Sequence, residues 1–190
     1  MLTSLLGRAA TVATALVLVA LFPVTPARAD GEVCFTAAHA NDSVKSFEAV
    51  VSEKINGQTF TTTEEFVKPD RMHVVGMGVE MYVIANKTWQ RTNGGAWKVT
   101  TSSAPPADMT SMASKLSKSQ IVSCTESVGV WRGQPAHIFH ATTTSAKGGT
   151  VKMTEYVLSD GYIHHLEIVT PAAPVAMDFS KFNATTVSPP

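Results

Sequence analysis

Residues 58–100 read QTFTTTEEFVKPDRMHVVGMGVEMYVIANKTWQRTNGGAWKVT, and this stretch decides the fold class. Gln58 to Val67 is rich in Thr and Phe and alternates, with Phe60 and Phe66 on one face and Thr62 and Glu64 between them. Lys68-Pro69-Asp70 is a turn, and Arg71 to Val75 is a short strand. Gly76 and Gly78 interrupt the chain before a further strand, Val79 to Ala85. Asn86-Lys87 then reads as a tight turn and Thr88 to Thr92 as a strand with Trp89 and Arg91 on one face. Asn93-Gly94-Gly95 is a stronger hairpin signal, after which Ala96 to Thr100 returns with Trp97 and Val99 together. Strands joined by turns this short run antiparallel.

Working outward, the period changes on both sides. Upstream, Phe35 to Ser52 reads as a helix, with Phe47, Val50 and Val51 on one side and Val44 close by. Asn41, Asp42 and Ser43 are all good helix caps, so the strong part of this helix is expected to begin near Ser43. Asn56-Gly57 is the turn out of it. Downstream, Thr101 to Pro106 is a linker, and Asp108 caps a helix to about Ser119 whose Met109, Met112 and Leu116 fall on one side. Strands then resume: Ile121 to Glu126, Gly129 to Arg132, Ala136 to Thr144, Thr150 to Ser159, Tyr162 to Thr170 and Val175 to Phe179. There is no βαβ unit, repeat or domain boundary. The expected fold is α+β: one strongly curved antiparallel sheet, an open half-barrel of about nine strands, with helices covering its concave face.

The first 29 residues read as a cleaved signal peptide. Arg8 supplies the positive start, Ala9 to Phe22 the apolar run, Pro23 and Pro26 the break, and Ala27-Arg28-Ala29 the cleavage site. The apolar run is about 14 residues, short of the roughly 20 that a span needs, although an uncleaved anchor is the rival reading. Removing 29 of 190 residues leaves 161, residues 30–190, expected to form a single domain. The cleaved part takes two basic residues and no acidic one, so 13 basic and 15 acidic residues remain, a net charge of −2. With no run of Lys or Arg, that balance argues against nucleic-acid binding. Cys34 follows Glu32-Val33, which does not fit a lipid-attachment signal. The expectation from these residues is a soluble, exported, unanchored domain; taken with the family resemblance below, it is a periplasmic monomer. In an oxidising compartment Cys34 and Cys124 are expected to pair, with two separate buried thiols as the alternative.

The layout resembles the periplasmic lipoprotein-carrier family, which includes the lipoprotein localisation carrier of the Gram-negative envelope. The resemblance rests on Phe66-Val67-Lys68-Pro69-Asp70-Arg71-Met72-His73-Val74, and on Asn86-Lys87-Thr88-Trp89 before the Asn93-Gly94-Gly95 turn. It continues with Tyr156-Val157-Leu158-Ser159-Asp160-Gly161 and Met177-Asp178-Phe179-Ser180-Lys181-Phe182-Asn183. Together with the element order it covers nearly all of residues 30–190. Related lipid-binding lipoproteins of actinobacteria and the sensor domain of an anti-sigma regulator share that fold. The resemblance implies an open half-closed barrel that holds acyl chains between sheet and helices. It also implies membrane-bound loading and receiving partners, and Arg71 as a residue that helps close the helical lid. The family often carries a second basic residue two positions later, where this chain has His73.

A carrier needs a dry apolar surface rather than a catalyst, and Met adapts well to a mobile chain. Met72, Met81, Trp89, Trp97 and Met153 on strands, facing Met109, Met112 and Leu116 on the lid, form the expected ligand-binding set; an ordinary core with no cavity is the alternative. No cofactor or metal is expected. His137 and His140, and likewise His164 and His165, are expected on opposite faces of their strands, which separates them as ligands. Glu64 and Glu65 diverge for the same reason, and no nucleophile or phosphate-loop motif occurs, so the chain is not expected to be an enzyme. The expected function is a carrier or binder of lipids or acylated lipoproteins. The rival is a non-transport interaction or sensor module of the envelope built on the same fold.

Overall fold

The computed structural model describes residues 31–101, 118–144, 149–170 and 172–190. One helix, α1 (Gly31–Ala38), precedes six strands: β1 (Ser46–Ile55), β2 (Gln58–Val67), β3 (Arg71–Gly76), β4 (Val79–Ile84), β5 (Lys87–Thr92) and β6 (Lys98–Thr101). A 3-10 turn at Lys118–Gln120 leads into five more: β7 (Ile121–Trp131), β8 (Gln134–Thr144), β9 (Thr150–Val157), β10 (Ile163–Val169) and β11 (Pro174–Ser180). All eleven form one antiparallel sheet in the order β6-β5-β4-β3-β2-β1-β11-β10-β9-β8-β7. The first and last strands pair in its middle, Ala49 opposite Phe179 and Val51 opposite Met177. The two free edges, β6 and β7, are neighbours in sequence, and the sheet is open among the described residues.

Two expectations are corrected here. The strand count is eleven rather than about nine, and Phe35 to Ser52 is not a helix. The helix is shorter and earlier, and β1 starts at Ser46. Phe47, Ala49 and Val51 alternate onto one face, while Val50 lies on the other. A central strand carries apolar residues on both faces, and that produced the spacing of Phe47, Val50 and Val51 that reads as helical. Asn41 is therefore no helix cap. Its buried amide donates to the Ile163 carbonyl at 3.1 Å and its Oδ1 accepts from the Ile163 amide at 2.9 Å. It thus satisfies both backbone groups where β10 begins. Helices covering one face reduce, among the described residues, to α1 alone; the helix expected from Asp108, with Met109, Met112 and Leu116, lies outside them.

The hairpins follow from local chemistry. Asn56-Gly57, Met77-Gly78 and Arg132-Gly133 are two-residue turns with positive φ at both positions, the geometry that matches the twist of paired strands. The β4–β5 turn uses Ala85-Asn86, one residue earlier than expected, because Lys87 pairs with Ile84.

The sheet is strongly twisted. Trp131 on β7 reaches His165 on β10 with ring centroids 5.7 Å apart. Three strand spacings on a flat sheet would separate those backbones by roughly 14 Å. Arg132 spans farther, to Asp178 on β11 at 2.7 Å.

Candidate functional site: the helix-bearing face of the sheet

Cross-strand register sorts the side chains into two faces, because directly paired residues share a face. The face that carries α1 is apolar across most of the sheet. One row across it reads Cys124, Ala141, Met153, Ile168, Val175. The next reads Phe139, Glu155, Leu166, Met177, Val51, Thr62. Beyond them lie Phe179, Ala49, Glu64, Val74 and Met81, and then Phe47, Phe66, Met72 and Val83.

The helix is pinned to this face by a disulfide, Cys34 to Cys124, with Cα atoms 6.0 Å apart. Cys34 and Ala37 pack with Cys124, Phe139, Ala141, Met153, Ile163, Leu166 and Met177 into one buried cluster. A second cluster closes one end of the face: Val44, Phe47, Ala49 and Phe66, with Met72, Tyr162, Phe179 and Phe182 against it. The rings of Phe47 and Phe66 stack at 5.6 Å. The C-terminal segment seals that end, where Asn183 accepts from the Lys45 amide at 2.7 Å and donates its own amide to the Ser46 carbonyl at 2.7 Å.

Away from the helix the apolar face continues with less burial. Met72, Val74, Val79 and Met81 on β3 and β4 are only half-buried, yet they are continuous in register with the buried rows. Four carboxyls lie on this face by register, Glu53, Glu64, Glu126 and Glu155. Glu64 is half-buried, and burial raises its pKa against the lowering hydrogen bond of Thr62. Glu155 is 1 % exposed, and burial alone pushes its pKa up to about 8.

The expected ligand set is split by this geometry. Met72, Met81 and Met153 share the helix-bearing face, and Met153 belongs to its buried cluster. Trp89 and Trp97 do not join them: Trp89 pairs with Tyr82 and Val99 on the opposite face, and Trp97 packs edge-on against Tyr82 at 5.6 Å. They cannot face Met72 or Met153 across one cavity, because alternate residues of a strand point to opposite sides. Arg71 also lies on that opposite face, paired with Val67 and Ile84. It is exposed, and its guanidinium donates to the Val187 carbonyl at 3.4 Å, so it holds the C-terminal segment rather than anything on the helix-bearing side.

The opposite face carries charge and aromatic contacts that composition did not disclose. His73 sits between Glu65 at 2.8 Å and Glu80 at 3.3 Å and stacks on Tyr82 at 4.0 Å. Arg91 binds Glu80 at 2.7 Å and lies over the Trp97 ring. Arg91's hydrogen bond is the main reason the Glu80 carboxyl is held below its ordinary pKa. A second set repeats the pattern, with His165 between Asp178 at 2.6 Å and Glu167 at 3.3 Å, and Arg132 over Trp131. A β-bulge at His164 alters one expectation. It brings His164 as well as His165 to the Trp131 ring, at 6.2 and 5.7 Å, instead of to opposite faces. Glu64 and Glu65 do diverge, and among the described residues no group of three His, Cys, Asp or Glu is placed to hold a metal. A groove of about 290 Å³ opens at the ends of β1, β10 and β11, lined mainly from this second face by Ser52, Lys54, Glu167, Val169, Pro174 and Ala176.

Among solved structures, LprF from Mycobacterium bovis superimposes with a TM-score of 0.62 at 12% identity, covering 84% of this chain and 95% of that one. The Mycobacterium tuberculosis lipoprotein LppX gives 0.61 at 12% identity, covering 83% and 96%. The chain shares the fold of these two proteins over almost their whole length. No family model and no curated protein matches the sequence. No helix among the described residues is long and apolar enough to cross a membrane.

Proposed function

We propose that this chain is a carrier or binder of lipids or acylated lipoproteins, soluble in the periplasm, that holds acyl chains against the helix-bearing face of its sheet. The observation that carries this reading is the continuation of that face past α1. Met72, Val74, Val79 and Met81 extend the buried rows as a half-buried apolar strip, and no described element covers it. Monomeric proteins rarely leave such strips open without a binding use. Each methylene removed from water contributes about 0.8 kcal/mol, so ten buried methylenes supply about 8 kcal/mol before ordering costs. Flexible thioethers suit a ligand that has no fixed shape. Binding of this kind needs no catalytic group, and loading and release would fall to membrane-bound partners.

The test is native mass spectrometry of protein purified from the periplasm, followed by organic extraction. A bound mass in the lipid range is expected. Met81→Glu, on the helix-bearing face, should abolish retention, while Trp89→Glu, on the other face, should leave it unchanged. Equal loss in both variants overturns the assignment of the face.

The interaction or sensor reading draws on one feature. Edge strand β7, paired only with β8 among the described residues, displays Val128 and Val130, both about two-thirds exposed, and its outer edge can be extended by another chain. A bare mass that also ignores added phospholipid and acylated peptide would favour that reading.

A further inference from the structure

Glu155 stands alone in its surroundings. It lies on β9, the third strand from the β7 edge, on the helix-bearing face, directly paired with Phe139 on β8 and Leu166 on β10, with Met153 and Val157 two residues to either side. Only 1 % of it is exposed, and its Oε2 has no hydrogen-bond partner among the described residues. A buried polar atom without a partner is destabilising, and an apolar residue of the same length would fill the position more cheaply. Among the described residues, the titratable groups nearby on this face and on the packed helix are Glu126 and His137, and Glu32 and His39 of α1. Glu126 and His137 hold each other at 2.8 Å, and His39 is bound to the Phe35 carbonyl at 2.8 Å. On β10 the facing residue is Leu166, which carries no charge.

We infer that Glu155 is the polar contact of the acyl-binding face: a protonated carboxyl that donates its hydrogen to the carbonyl oxygen of an acyl ester or amide. This rests on the carrier reading above and sharpens it. A hydrocarbon face holds a chain but does not fix how deep it lies. One buried donor fixes that depth, because an acyl carbonyl that enters the apolar layer has lost its water and meets a hydrogen-bond partner there. Burial keeps the carboxyl protonated up to pH about 8, so it can act as a donor at neutral pH. An acyl carbonyl is common to glycerolipids and to acylated lipoproteins, and the carboxyl does not distinguish them.

The experiment compares ligands that differ only in that carbonyl. Dissociation constants are measured for 1-oleoylglycerol against 1-O-oleylglycerol, and for a diacylglyceryl-cysteine peptide against its dialkyl-ether analogue. The ester of the better-bound pair is expected to bind about tenfold tighter than its ether, the difference one hydrogen bond makes. Whichever pair binds better identifies the source of the acyl group. The preference should vanish as pH rises through about 8. Glu155→Gln keeps a donor of the same shape and should keep the preference at every pH. Glu155→Met, which removes the polar group without leaving a cavity, should bind ester and ether equally. Ester and ether binding equally to the unaltered protein overturns the carbonyl contact but leaves the carrier reading standing. If neither member of either pair binds, both readings fall.

Discussion

Replacing Glu155 by Gln should change the pH dependence of folding strongly. Burial raises the Glu155 pKa from 4.5 to about 8. A carboxyl whose folded pKa lies above its unfolded value binds its proton more tightly in the folded state. Its contribution to stability is then complete below pH 4.5 and declines as pH rises, until the folded pKa is passed near 8. Each pH unit in that window removes 1.36 kcal/mol, so the full decline is roughly 5 kcal/mol, comparable to the whole stability of a small domain. Glu64 adds a decline in the same direction, since burial raises its pKa as well. Other groups are common to both proteins and cancel in the difference. Urea denaturation at pH 5, 6, 7 and 8 measures it. The stability of Glu155→Gln relative to the unaltered protein should climb steadily across the series and level off above pH 8. A constant offset between the two curves, whatever its sign, would show that the Glu155 carboxyl ionises as freely as an exposed one and that its surroundings are not dry.

Two further outcomes follow from the same geometry. Converting Cys34 and Cys124 together to Ala opens a loop of 90 residues, and the chain-entropy relation gives a loss of about 4 to 5 kcal/mol. It should appear in thermal unfolding as a matching fall in Tm that reductant reproduces in the unaltered protein. Asn41→Ala leaves both backbone groups of Ile163 unpaired in a buried place and should cost about 2 to 4 kcal/mol. Hydrogen exchange should localise the damage to the start of β10, and protection there equal to the unaltered protein's would refute the role given to Asn41.

Much of the sheet was legible because its signals are local. Thr-rich alternation in Gln58 to Val67 and the Asn-Gly and Gly turns determine strand and hairpin with no reference to distant residues. The pairing of Cys34 with Cys124 was legible for another reason: an oxidising compartment leaves two cysteines one obvious choice. The failures occur where long-range contacts overrule local pattern. β1 reads as a helix because its two apolar faces merge into a helical period, and only its place between β2 and β11 makes both faces apolar. The bulge that turns His164 and His165 toward one ring has no signature in the two residues themselves.

The candidate site shows the same division. Sequence alone determined which residues alternate along each strand, so Met72 and Met81, or Glu64 and Glu65, were already assigned relative to their neighbours. It could not say how the faces of different strands align, because that depends on register between segments far apart in the chain. Register put Trp89, Trp97 and Arg71 on the face opposite Met153. It also placed Glu155, unremarkable in sequence, between Phe139 and Leu166 where it is almost fully buried. Periodicity is a property of a few neighbouring residues, whereas burial, and with it the protonation of a carboxyl, is set by everything that packs around the group.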